Sequence, residues 1–209
     1  MSIDLEPWPE WSERALQGLA FWIGHRHALF PDYPLPEAAL VTEACNLIHA
    51  NLDTNQRLLC EVQYTRLVPR GGWKNSHGSR SRADLVVIRK GRNSAWPSSA
   101  SNLHTFAEVV IEVKRGTAPK AQIDNDLQRL AALKDENPNV RAMLFLVSES
   151  KRPKRFVSKE GRAILGECSV PNASANYRVR RACKAASAFS GKETAHYGCI
   201  IEVFSDKHP

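Results

Sequence analysis

Apolar positions change their period several times along this chain, and each change predicts an element. Three tryptophans (Trp8, Trp11, Trp22) accompany a helical stripe of Leu16, Leu19, Ala20, Ile23 and His27, which the Pro-rich PDYPLP ends. This predicts an N-terminal helical appendage over residues 1–34 and a main domain over residues 35–209. The main domain opens with an amphipathic helix in PEAALVTEACNLIHANL, then an extended segment in RLLCEVQYTRL and a polar, Gly-rich loop, VPRGGWKNSHGSRSR. Two β-branched runs, ADLVVIRK and AEVVIEVKR, predict strands separated by GRNSAWPSSASNLHT, whose Gly, Pro, Ser and Asn break regular structure. After Pro119, Ile123, Leu127, Leu130 and Ala131 recur at helical spacing. VRAMLFLVSE is apolar throughout, as for a strand covered on both faces. A helix is expected over residues 153–165 and a last strand in GCIIEVF.

Composition narrows the class. With 209 residues, 43% hydrophobic and 24% charged, the chain can bury one substantial core. No apolar run reaches the ~20 residues of a membrane span, and the start MSIDLEPWPEW is no basic leader, so a cytoplasmic protein without membrane contact is expected. Five scattered cysteines without a CxxC pair are expected to be reduced and mostly buried. His25 and His27, two apart on a helix, do not share a face and make a poor metal pair. A net charge of +7 and a pI near 9.3 favour polyanionic partners, above all nucleic acid. Walker P-loop, GxSxG, HExxH and GxGxxG patterns are missing.

The chemistry concentrates in two strands. Alternation in AEVVIEVKR turns Glu108, Val110, Glu112 and Lys114 to one face and Val109, Ile111 and Val113 to the other. Asp84 opens the preceding strand. An aspartate opening the second strand and E-x-K ending the third, in the order helix, strand, strand, strand, helix, strand, resembles the PD-(D/E)xK nuclease superfamily over residues 35–147. The resemblance implies an α/β, restriction-endonuclease-like core, a central mixed β-sheet flanked by helices in the order αβββαβ. It also implies a Mg2+-dependent nuclease that hydrolyses phosphodiester bonds, of DNA more often than RNA, with Mn2+ able to substitute. An endonuclease of restriction, repair or defence against mobile elements is the expectation. Carboxylates from neighbouring strands, here Asp84 and Glu112, give a hard divalent cation its preferred oxygen ligands and leave positions for water and phosphate. Lys114 would orient the water or offset charge in the transition state.

Many members of the superfamily carry a further glutamate on the first core helix, and Glu37 and Glu43 are the candidates. Measured from Ala44 at ~100° per residue, Glu37 lies at about 20°, on the apolar face, and Glu43 at about 100°. Glu37 is therefore preferred as an outer metal or water ligand. Gln122 resembles the polar residue frequent one turn into the helix after E-x-K, but the tyrosine that follows in one branch is replaced by Asp126. Glu108 is a second choice of ligand, expected to pair with a basic side chain. Arg70, Lys74, Arg80 and Arg82 in the loop before Asp84 would hold phosphates, with Trp73 placed to stack on an unpaired base. KRPKR (151–155) and RVRRACK (178–184) would extend that surface if they fall on the same side. Cutting both strands of a duplex is easiest with two sites, which points to a homodimer or a protein partner through the N-terminal aromatic helix. The rival reading is a non-catalytic nucleic-acid- or protein-binding module on the same fold.

Overall fold

The computed structural model describes residues 8–33, 35–69, 71–73, 78, 80–91, 96–97, 103–149, 151–185 and 197–205. Helices α1 (Glu10–Leu29) and α2 (Glu37–His49) precede three strands, β1 (Gln56–Gln63), β2 (Arg82–Arg89) and β3 (Ala107–Arg115). Helix α3 (Lys120–Glu136) leads to β4 (Arg141–Ser148), and β5 (Glu167–Ser169), β6 (Asn176–Lys184) and β7 (Tyr197–Phe204) follow. They form one seven-stranded sheet in the order β1-β2-β3-β4-β7-β6-β5. Only β3 and β4 pair in parallel, the other neighbours being antiparallel. Parallel neighbours need a crossover, and α3 supplies it. The result is a mixed α/β sheet flanked by three helices, with the segment from α2 to β4 in the order αβββαβ.

The alternation in β3 explains the layering. Val109, Ile111 and Val113 join Met143, Phe145 and Val147 beneath α1 and α2. Val110 joins Leu144, Leu146 and the inward face of α3, formed by Ile123, Leu127 and Leu130. Helix α1 lies on the sheet: Trp11, Ala15, Leu16, Leu19 and Ile23 share a core with Leu40, Ala44 and Ile48 of α2. The link between them is held by Glu149, which accepts from the Leu35 N–H at 3.0 Å and pairs with Arg115 at 3.1 Å. That contact fixes the start of α2 beside the end of β3.

The expected helix over residues 153–165 is corrected. Val157 and Ala163 form an isolated antiparallel bridge, Ile164 N–H donates to the Phe156 carbonyl, and Gly161 turns the chain with φ +78°. Apolar spacing there comes instead from Phe156 and Val157, which insert into the α3-side core. Strands β5 and β6 went unrecognised because arginines occupy β6 and a register shift between Val179 and Arg181 breaks its alternation. The cysteines are free, but Cys60 and Cys168 are exposed rather than buried, and the Cys45 and Cys60 sulfurs lie 3.6 Å apart. Among the described residues no helix is long and apolar enough to cross a membrane.

One close approach sets the exit from β3. A Cβ on Gly116 would lie 2.7 Å from the Ser148 Cβ, and the Gly116 N–H donates to the Val147 carbonyl at 2.7 Å. Gly116→Val should therefore force β3 and β4 apart and lower stability by about 1–3 kcal/mol in urea denaturation. An unchanged midpoint would show that the strand ends yield freely.

Candidate functional site

The β2–β3 ladder pairs Leu85 with Ile111 and Val86 with Val110. Continued by one step it would set Asp84 opposite Glu112, but the pairing stops. Asp84 Oδ2 instead accepts the Val113 N–H at 2.7 Å, so a side chain takes the place of a ladder bond. The Asp84 and Glu112 carboxyl groups are near enough to act on each other's ionisation. Glu112 is 2% exposed, and its Oε1 accepts from the Tyr64 hydroxyl at 2.6 Å and from Arg129 Nε at 3.2 Å. Tyr64, in the short 3-10 turn after β1, is buried and stacks on Trp73 with centroids 4.5 Å apart.

Lys114 ends the same face of β3, between the two helix layers. Its Nζ donates to Glu37 Oε1 at 2.7 Å and lies 3.2 Å from Asp126 Oδ2. Glu37 is the first residue of α2, while Asp126 and Arg129 are one turn apart on α3 and paired with each other. Both helices and both central strands thus deliver charge to one point.

Four carboxylates, those of Glu37, Asp84, Glu112 and Asp126, here face two cations, Lys114 and Arg129. Burial pushes Glu112 up to about 8; Arg129 opposes this, while Asp84 and Asp126 add to it. Burial also raises Asp84, against the Val113 N–H that favours its charged form, and raises Asp126, against Arg129 and Lys114. For Lys114 burial pulls downward, yet Glu37 and Asp126 outweigh it and hold the ammonium above its ordinary value. Arg129 is raised likewise, by Glu112 and Asp126 against its burial, and stays charged.

This surplus of buried carboxylate oxygen is what a divalent cation would relieve. Among the described residues no group of three or more His, Cys, Asp or Glu side chains is arranged to hold a metal ion. Asp84 and Glu112 are the two carboxylates that could serve as ligands to such an ion, which would need water or phosphate to complete its shell.

A pH dependence follows with a definite sign. The folded pKa of Glu112 lies above its unfolded value, so the folded state binds the extra proton between about 4.5 and about 8. Its contribution to stability is full below about 4.5 and is lost as pH rises through about 8. In EDTA, the urea midpoint should fall between pH 5 and pH 8 by more than in Glu112→Gln. Parallel profiles for the two proteins would contradict the buried-acid assignment.

Of the residues singled out from sequence, Asp84, Glu112, Lys114 and Glu37 meet. Gln122 does not join them: it is exposed in the first turn of α3, and Asp126, one turn on, faces inward instead. Arg70 and Lys74 lie outside the described residues. Arg80 is exposed, and Arg82, also exposed, is 3.9 Å from Glu61. Trp73 carries Tyr64 on its ring, so that face is not open to a base. Glu108 pairs with Arg89 and accepts from Gln56 at 2.7 Å, away from the cluster. Sequence reasoning missed Tyr64, Asp126 and Arg129 as members of the cluster. The available signal was Asp126, an acid three residues after Ile123 and four before Leu130 on an apolar stripe.

Compared with known proteins, the chain matches no family model, no curated protein and no solved structure.

Proposed function

We propose that this protein is a Mg2+-dependent nuclease of the PD-(D/E)xK type, acting on DNA in the cytoplasm, with a restriction-endonuclease-like core running from α2 to β4. The observation that carries the reading is the convergence of Asp84 and Glu112, from adjacent strands, with Lys114 two residues along β3. The αβββαβ order around them supports it.

Asp84 and Glu112 would hold Mg2+, or Mn2+ in its place. When bound, such an ion polarises a phosphodiester and makes water a stronger nucleophile at neutral pH. The protein's own groups do the rest. The Val113 N–H and the Tyr64 hydroxyl orient the two carboxylates before any ion arrives. Lys114, kept protonated by Glu37 and Asp126, acts as a hydrogen-bond donor that orients the attacking water or offsets charge on the phosphate, rather than as the base. Glu37, 39% exposed in its side chain, anchors the Lys114 ammonium from α2 at 2.7 Å.

The test is incubation of supercoiled and linear DNA with purified protein in Mg2+, in Mn2+ and in EDTA. Cuts in either metal and none in EDTA are expected, and conversion of the supercoiled circle identifies an endonuclease. DNA binding without cleavage in any metal would favour the binding module instead.

A further inference from the structure

Beside the charged cluster lies a groove of about 610 Å³ that the proposed chemistry leaves unused. Its floor includes Ile123, Leu146, Phe156 and Tyr177, and its rim carries Lys120, Lys154 and Arg155. Leu146 is the strand partner of Lys114, and Gly116, two residues after Lys114, also lines the groove. The groove therefore adjoins the cluster on the α3 face of the sheet. The KRPKR run that stood out in the sequence supplies two of its three cations.

The charges are arranged for an anion. Arg155 is fixed in place by Asp124 and by the Tyr177 hydroxyl at 2.9 Å, and its guanidinium lies over the Phe156 and Tyr177 rings, 5.2 and 5.0 Å from their centroids. Lys120 and Lys154 are exposed, and no ion pair holds either one among the described residues. Among the described residues no acidic side chain lines the groove, Asp124 reaching it only through its pair with Arg155. Its size lies within the range of small-molecule sites.

We infer that this groove receives one unpaired nucleotide of the strand being cut, its base over the apolar floor and Arg155, its phosphate between Lys120 and Lys154. A duplex presents phosphates outward but keeps its bases stacked inside, so it could use the rim but not the floor. Single strands expose both, and a base can stack on the Arg155 guanidinium plane that lies over the buried Phe156 and Tyr177 rings. The substrate class is therefore single-stranded or frayed nucleic acid. The inference rests on the nuclease reading for the path of the strand past Lys114.

Binding is the readout, measured by fluorescence anisotropy in EDTA with the full chain and labelled DNA of about 12 nucleotides, single-stranded and duplex. Ala118 also lines the groove, and Ala118→Trp fills it without changing charge. It should weaken single-strand binding roughly tenfold and leave duplex binding nearly unchanged. The double variant Lys120→Glu, Lys154→Glu should weaken both, more for the single strand. Equal affinity of wild type and Ala118→Trp for single strands, with matching melting curves, would overturn the inference. So would equal losses on both substrates in Ala118→Trp. Because cleavage is silent in EDTA, the two readings fail separately: groove-dependent binding without metal-dependent cutting strikes the nuclease alone, and cutting with groove-independent binding strikes the groove alone.

Discussion

Lys114→Ala is expected to reduce Mg2+-dependent DNA cleavage by roughly 10²- to 10³-fold, the usual loss when one preorganised donor to a developing charge is removed. The side chain lies between Glu37 and Asp126, with its ammonium held charged by both. Folding should survive, because Glu37 is partly solvated and Arg129 still pairs with Asp126. Lys114→Arg should restore little activity: a planar fork does not reproduce a compact ammonium shared by two carboxylates on different helices. Single-turnover rates beside melting curves check both variants. Activity near wild type in Lys114→Ala would remove Lys114 from the chemistry.

Arg129→Ala should have the largest effect on stability, about 3–5 kcal/mol at pH 8, where the loss of one partner strands buried charge. Arg129 bonds Glu112 and Asp126 together, and each of these residues is 2% exposed. The penalty should shrink toward pH 5, since carboxyl groups that bind a proton no longer need the cation. It should also be smaller in a Glu112→Gln background, as expected for coupled neighbours. Urea denaturation in EDTA at both pH values measures this. A loss independent of pH and of Glu112 would mean that Arg129 acts through packing instead.

Much of the core was legible because its signals are local. Alternation in β3 separated Val109, Ile111 and Val113 from Glu112 and Lys114, and helical spacing placed Glu37 on the inward side of α2. What was hidden depends on long-range contacts. Tyr64 reaches Glu112 across 48 positions of sequence, and no local pattern announces a hydroxyl aimed at a carboxylate. Asp126 and Arg129 look like ordinary helix-surface charges until the sheet packs against them. β6 was masked by its arginines, which make sense as strand residues only once Glu202 of β7 is seen to accept from Arg178 at 3.0 Å and Arg180 at 2.6 Å. Gln122 and Trp73 show the reverse, residue types suited to a role that packing directs elsewhere.

The central claim is tested most directly by Asp84→Asn, which keeps the acceptor for the Val113 N–H but removes the charge, assayed beside wild type on supercoiled DNA with Mg2+ titrated against EDTA. The account requires cleavage by wild type in Mg2+, of the supercoiled circle or of single strands added beside it, and none by a variant that melts like wild type. Equal cutting by both proteins, or no cutting by wild type of single- or double-stranded DNA in Mg2+ or Mn2+, would contradict it.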